Sequence, residues 1–204
     1  MNPRRLSTAI IIIGIALIIG AAGLAFYNIW TDAHAGEERD VILTELADYM
    51  PEEPEDESGE PEETPELVDP MAPLPVVDVD GKGYLGSLSI PKLKLELPVQ
   101  SEYDYDSLKI APSVYYGSIA TGDLVICAHN YRTHFGALKN LGEGDQVLFR
   151  DMNGLVYTYE VGATEIVSPF AVADVTSGEW DLTLFTCTLG GRTRLVIRCD
   201  RVDV

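Results

Sequence analysis

Basic side chains are scarce in this chain of 204 residues, which has 14 Lys and Arg against 33 Asp and Glu and a formal net charge of −19. A protein that binds nucleic acid through its phosphates needs a basic surface, so the composition argues against a nucleic acid partner. Cysteine is also rare. The three cysteines form no CxxC pair, and no cluster of His and Cys has the spacing of a zinc site, so we expect no metal.

One long segment near the N-terminus lacks charge altogether, from Leu6 to Trp30. About 20 apolar residues span the hydrocarbon core of a bilayer, so residues 6–30 are predicted to be a transmembrane anchor. Arg4 and Arg5 precede this run and predict that residues 1–5 are cytoplasmic and that the rest of the chain is extracellular. A signal peptide cleaved at Ala33-His34-Ala35 is the alternative, but the run exceeds the roughly 7–15 apolar residues of a signal peptide.

An acidic linker is predicted next, over residues 31–75. Between Glu37 and Asp69 there are 15 acidic residues and one basic residue, and the part from Pro51 to Glu66 is also rich in proline. Such a segment cannot bury enough apolar surface to offset the entropy of ordering its chain, and its charges repel one another. We expect it to be disordered, with a short helix over Val41–Met50 as the one exception considered.

Residues 76–204 have the patterns of a β-rich domain. Alternating or continuous apolar runs predict strands, Asn153-Gly154 predicts a hairpin turn, and Phe135–Leu141 predicts a helical turn. The predicted strands are Leu85–Ile90, Leu93–Val99, Leu124–Ala128, Gln146–Asp151, Leu155–Val161, Leu182–Cys187 and Arg194–Val202. Many short strands without a long amphipathic helix indicate a closed barrel or a sandwich.

The most informative segment, Thr183–Arg198, predicts a cysteine and an arginine side by side on neighbouring strands. If Gly190-Gly191 is a two-residue hairpin loop, Cys187 lies directly opposite Arg194. Cross-strand Cβ atoms are roughly 4.5–5.5 Å apart, so a guanidinium beside the thiol would favour negative charge there. Arg192 is the rival cation, but this register pairs it with Leu189, nearer the loop tip.

A thiol nucleophile needs a basic partner, and the chain has only three histidines. His34 lies in the acidic region. His129 directly follows the predicted strand Leu124–Ala128, at a strand end where loop side chains can meet, whereas His134 lies further along the loop. His129 is therefore the favoured partner of Cys187.

These segments resemble the sortase family, the cysteine transpeptidases that attach proteins to Gram-positive cell walls. The family's TLxTC signature is matched at Thr183–Cys187, its VIAGHN-like strand at Val125–Asn130 and its R-L-V-V-x-G strand at Arg194–Arg198. An I-P-K-L-x-L-x-L-P-V-like strand is matched at Ile90–Val99, and Phe135–Val147 also looks familial. Cys127-Ala128 stands where the family usually has smaller residues.

The resemblance implies an eight-stranded sortase-type β-barrel over residues 76–204, with His129, Cys187 and Arg194 as the catalytic residues and no cofactor. It implies cleavage of an LPxTG-like sorting signal on a surface or pilin protein through a thioacyl-enzyme. The acyl group would pass to an amine of a peptidoglycan precursor or of a pilin lysine. Asp69-Pro70-Met71 also faintly resembles the Asp-Pro-aromatic lid of pilin-polymerising sortases, with methionine in the aromatic position.

Two other classes stay open on the residues alone. An L,D-transpeptidase also uses Cys, His and Arg, but its S-x-G-C-x-R motif does not match the residues around Cys187. A non-enzymatic surface module on an acidic stalk is the other. Cys127 and Cys199 remain as a candidate disulfide, and a bridge from Cys127 to Cys187 would abolish the predicted chemistry.

Overall fold

The structure is a computed structural model that describes residues 3–51 and 73–202. It contains a long N-terminal helix, α1, over Pro3–Ala47 and a four-residue helix, α2, over Val172–Val175. Its strands are β1 Val77–Val79, β2 Lys82–Ile90, β3 Leu95–Gln100, β4 Ser113–Tyr116, β5 Leu124–Ala128, β6 Gln146–Asp151, β7 Val156–Val167, β8 Leu182–Cys187 and β9 Arg194–Arg201. Short 3₁₀ helices connect some of them, and the one at Phe135–Asn140 lies where a helical turn was predicted over Phe135–Leu141.

Eight of the strands close into a barrel, as predicted. Their order around the barrel is β2-β3-β4-β5-β8-β9-β7-β6, and pairing of β6 with β2 completes the ring. Most neighbours are antiparallel, but β5 and β8 run parallel, as do β3 and β4. The sequence patterns missed two short strands, β4 and β1, and β7 extends to Val167, beyond its predicted end at Val161.

The barrel core explains why apolar and polar residues alternate along the strands. Inward positions on β8 and β9 are filled by Leu182, Leu184, Leu195, Ile197 and Cys199, which belong to one buried apolar cluster. Burying a side chain of this size contributes roughly 1.5–3 kcal/mol, which offsets the entropy lost on ordering the strands. Outward positions are then free to carry the side chains of a site.

The predicted end of the N-terminal helix is corrected by the structure. The helix does not stop near Trp30 but continues to Ala47, so the expectation of a disordered chain is wrong for residues 31–40, and the helix considered over Val41–Met50 is present as far as Ala47. Ala35, Ile42 and Leu46 are buried, and the latter two pack with Tyr84 and Met152 of the domain. This apolar stripe stabilises a helix that the acidic composition did not favour.

The apolar part of α1 remains uncovered by protein. From Ile10 onward it contains a segment with a mean hydropathy of 2.6, long and apolar enough to cross a membrane. Residues 52–72, which hold the rest of the predicted linker and Asp69-Pro70-Met71, lie outside the described residues.

Candidate active site

The hairpin between β8 and β9 has the predicted register. Cys187 pairs with Arg194, and Gly190 and Gly191 form the turn with φ values of 84° and 71°. Side chains that contain a Cβ rarely adopt such positive φ values, which is why two glycines are needed here. On its other edge Arg194 pairs with Val167, so the arginine lies between the ends of β7 and β8.

The parallel pairing of β5 and β8 brings His129 to the same end of the barrel. Ala128 pairs with Thr186, and the Thr186 hydroxyl donates a 2.8 Å hydrogen bond to the Ala128 carbonyl oxygen. Since the carboxyl ends of parallel neighbours lie at one edge, His129 follows β5 where Cys187 ends β8. The side chains of His129, Cys187 and Arg194 line one groove of about 220 Å³.

The two candidate histidines occupy different environments. His129 lines the groove, and its ring lies 5.0 Å from Tyr131 and 5.8 Å from Tyr105, measured between ring centroids. Its Nε2 atom is buried without a hydrogen-bond partner among the described residues. Burial, followed by the charge of Lys109, lowers the pKa of His129 below its ordinary value.

His134, the rival, is fully buried behind the loop and is absent from the groove lining. Burial lowers its pKa to about 4, with a smaller contribution from His129. A ring without access to the groove cannot exchange a proton with a bound peptide. The structure therefore places His129, and not His134, where acid–base chemistry on a groove ligand is feasible.

The two candidate arginines are also separated by position. The Arg194 Nη1 atom donates hydrogen bonds of 3.0 and 3.1 Å to the carbonyl oxygens of Gly191 and Thr193, which hold the guanidinium at the groove. Arg192 is exposed at the hairpin tip and does not line the groove.

Aromatic side chains form one wall of the groove, a feature that the sequence patterns did not reveal. Tyr115 makes edge-to-face contacts with Tyr103 and with Phe185, at centroid distances of 5.3 and 5.1 Å. Such contacts hold large apolar surfaces in one orientation. These rings come from three separate segments, so their convergence depends on the closed barrel.

The segment between β7 and β8 lines another part of the groove. Pro169, Val172 and Val175 line the groove, and α2 contributes the last two. Val175 also packs on Val125 and Val196, on the outer face of the barrel. A short helix fastened to the barrel wall thus limits the width of the groove.

Arg198 is the second feature that sequence reasoning missed, although its signal was visible as a cation inside the apolar run of β9. Its side chain is only 4% exposed. Its guanidinium donates to the carbonyl oxygens of Asp174 and Val175, to the Thr183 hydroxyl and to the Glu165 carboxylate. Arg198 therefore connects α2, and with it one groove wall, to the barrel.

All three cysteines are free thiols. Cys199 lies in the barrel core and Cys127 lines the groove, so these two side chains occupy opposite faces of the barrel wall, and the considered bridge between them is absent. Burial raises the pKa of each to about 12. Cys127 and Cys199 thus remain protonated at neutral pH, and Cys187 is left as the partly exposed thiol.

Comparison with known proteins places this geometry in a family. The sortase domain matches residues 88–202. Sortase A of Bacillus anthracis is 27% identical over 195 residues, which cover 92% of this chain and 89% of that protein.

Two solved structures share the fold. Sortase A from Corynebacterium diphtheriae has a TM-score of 0.55 and 28% identity over 60% of this chain and 62% of its own. Sortase C1 from Streptococcus agalactiae has a TM-score of 0.53 and 27% identity over 62% of this chain and 72% of its own. With the matching domain covering more than half of its length, this chain belongs to the sortase family, whose members are cysteine transpeptidases.

Proposed function

We propose that this protein is a membrane-anchored transpeptidase that cleaves an LPxTG-like sorting signal through a thioacyl-enzyme on Cys187. One observation carries the proposal: Cys187, Arg194 and His129 line one groove at the same end of the barrel. A related structure, that of Clostridium perfringens sortase C with the C-terminal cell wall sorting motif, has a TM-score of 0.52 and 25% identity to this chain, which supports a sorting signal as the donor.

The first half-reaction follows from the three side chains. The reactive pair is the Cys187 thiolate with the His129 imidazolium. Sulfur attacks the carbonyl carbon of the scissile amide, and the imidazolium gives its proton to the nitrogen as the C–N bond breaks. Because burial disfavours a charged His129, its imidazolium is stabilised by the neighbouring thiolate rather than by solvent.

Arg194 would act on the oxygen of the same amide. Its guanidinium is fixed by the Gly191 and Thr193 carbonyls before substrate arrives. A pre-oriented cation stabilises the negative charge that develops on the carbonyl oxygen without reorganising during the reaction.

The second half-reaction transfers the acyl group to an amine. The incoming nitrogen loses its proton to neutral His129, attacks the thioester and expels the Cys187 thiolate, which regenerates the starting pair. We propose that the amine belongs to a peptidoglycan precursor or to a pilin lysine. The chain would act at the outer face of the cell membrane, held by the apolar part of α1 with its N-terminus inside.

The test is to incubate the full-length protein in detergent with a panel of LPxTG-like peptides and to measure intact mass. We expect one acyl adduct, mapped to Cys187 and sensitive to hydroxylamine, as a thioester is. Cys187→Ala and His129→Ala should form none, and His134→Gln, once shown to be folded, is the matched histidine control.

Alkylation separates this function from a non-enzymatic surface module, whereas an L,D-transpeptidase, which also uses a cysteine, is distinguished by its acyl-donor peptide. Iodoacetamide should modify Cys187 alone, because burial keeps Cys127 and Cys199 protonated. Loss of peptide cleavage after alkylation is expected of a sortase, whereas a surface module would be unaffected. A folded protein that forms no adduct with a broad panel would contradict the proposal.

A further inference from the structure

The helix α1 contacts the catalytic end of the barrel just after its apolar segment ends. The Asp32 carboxylate accepts hydrogen bonds from the Thr133 backbone N–H at 3.1 Å and from its hydroxyl at 2.9 Å. The Thr133 hydroxyl also contacts the Asp32 carbonyl oxygen at 3.1 Å. Thr133 lies in the loop that begins with His129, so the anchor is joined to the active-site loop itself.

The other end of the docked helix meets the opposite end of the barrel. The Arg150 Nη2 atom donates to the carbonyl oxygen of Pro51, which follows α1, at 3.2 Å. Arg150 lies near the carboxyl end of β6, and β6 runs antiparallel to β7, whose carboxyl end pairs with Arg194. From Asp32 to Pro51 the chain therefore runs from the catalytic end of the barrel to the far end.

The length of the apolar segment determines how far the contact between Asp32 and Thr133 lies from the bilayer. At 1.5 Å per residue, a helix from Leu6 to Phe26 is about 30 Å long, which matches the hydrocarbon core of a bilayer. Tyr27 and Trp30 then fall at the headgroup level, where such rings are enriched in membrane proteins. Asp32 is only two residues beyond Trp30, so the His129 loop must lie close to the membrane surface.

Exposed apolar side chains occur at this same end. Phe170 is 89% exposed in the segment after β7, and Leu189 is 97% exposed in the hairpin after Cys187. Exposed Arg132 and Arg192 accompany them on neighbouring loops. Apolar tips beside cations suit a phospholipid surface, where the tips enter the headgroup region and the cations meet phosphates.

We propose that α1 holds the barrel with its catalytic end against the bilayer, so that Phe170 and Leu189 contact lipid and the groove opens at the headgroup level. This inference rests on the proposed membrane anchoring. It narrows the substrates to molecules presented at the membrane surface, because an amine or a sorting signal far above the bilayer would meet the end of the barrel opposite His129, Cys187 and Arg194.

The test uses the full-length Cys187→Ala protein in nanodiscs of three parts phosphatidylcholine to one part phosphatidylglycerol. Nitroxide labels are placed at Phe170→Cys or Leu189→Cys, with Asn153→Cys, an exposed position in the turn after β6, as the matched control. Unsubstituted Cys187→Ala protein should take no label, because its two remaining cysteines are buried.

Power-saturation EPR then compares collisions with oxygen, which concentrates in lipid, and with a water-soluble nickel chelate. We expect an oxygen-to-nickel ratio several-fold higher at positions 170 and 189 than at 153. Asp32→Ala combined with Thr133→Val, which removes the side-chain hydrogen bonds between helix and loop, should reduce that difference.

Ratios at 170 and 189 equal to the ratio at 153 would overturn the inference, as would failure of the protein to enter nanodiscs. Either result leaves the thioester assay on wild-type protein unaffected, because EPR is measured on a protein without the nucleophile. Loss of the thioester with intact EPR contrast would instead count against the proposed function alone.

Discussion

The buried Arg198 guanidinium donates a 2.7 Å hydrogen bond to the Asp174 carbonyl oxygen, at the end of α2 nearest the barrel wall. A cation near the last carbonyls of a helix also meets the negative end of its peptide dipoles. Because α2 lines the groove, Arg198 both stabilises the barrel wall and fixes the position of one side of the substrate site.

Arg198→Met should loosen the groove wall without touching the three side chains at the reacting bond. We expect a rise in KM for peptide of about tenfold, since misplaced positioning groups cost affinity and rate, with a smaller change in kcat. The rate of Cys187 alkylation should stay near that of the wild type. The loss of several hydrogen bonds from a charged donor should destabilise the fold by about 2–4 kcal/mol.

Glu165→Gln is the matched control for that experiment. The Glu165 side chain is 45% exposed, so its ion pair with Arg198 is largely screened and contributes little. A KM change as large in Glu165→Gln as in Arg198→Met would show that the surface charge, and not the contact with α2, matters.

Arg194→Ala should lower kcat for peptide cleavage by about 10²–10³-fold, the usual cost of removing a group that stabilises an oxyanion. Arg192→Ala should remain close to wild type, because Arg192 is exposed at the hairpin tip and is absent from the groove lining. Steady-state cleavage of a fluorogenic peptide separates the two. Equal losses in both variants would contradict the assignment of Arg194.

Thr186→Val should weaken the junction that places His129 beside Cys187. It leaves the buried Ala128 carbonyl without the hydroxyl that donates to it at 2.8 Å, at a cost of about 1–3 kcal/mol in the free energy of unfolding. We expect kcat/KM to fall by about tenfold as the two strand ends shift. Thr186→Ser keeps the donor and should restore activity, an outcome that a purely steric role for the methyl group would not produce.

His134 should make the protein less stable in acid. Its folded pKa is about 4 against an unfolded value of 6.5, so the unfolded chain binds the proton more readily between these pH values. Stability is therefore full above pH 6.5 and falls by about 3 kcal/mol as the pH drops to 4, after which this histidine contributes no further change.

The dependence of the free energy of unfolding on pH can be measured by urea unfolding of a soluble form that begins at Thr31 and so keeps the part of α1 that packs on the barrel. His134→Leu removes the titrating ring and should reduce the difference in the free energy of unfolding between pH 6.5 and pH 4 by about 3 kcal/mol. An unchanged slope in the folded variant would assign the acid sensitivity to other groups.

Local patterns were sufficient to predict much of the site. The register of Cys187 with Arg194 follows from a two-glycine turn and the period of a β-strand, both of which are short-range properties of the chain. The choice of His129 over His134 followed from its position directly after an apolar strand. These predictions needed no knowledge of how distant strands pair.

The N-terminal half of α1 was predictable for the same reason, and its continuation was not. Leu6–Trp30 contains no charged side chain, whereas residues 31–47 are helical because Ile42 and Leu46 pack on Tyr84 and Met152. That burial requires a folded barrel, so a reading of composition alone predicted a disordered linker there.

What the chain encodes by itself is thus the apolar N-terminal helix, the strands and the cysteine–arginine hairpin, since each depends on residues that are neighbours in sequence. Tertiary structure alone decided the parallel pairing of β5 with β8 and the aromatic wall of the groove. It also decided the hydrogen bonds of Arg198 with α2 and of Asp32 with Thr133. These contacts join residues that are far apart in the sequence. Arg198 and Asp174 are 24 residues apart, and Thr133 and Asp32 are 101 residues apart. Their energies arise only when closure of the barrel brings the partners together, and no local periodicity reports that event.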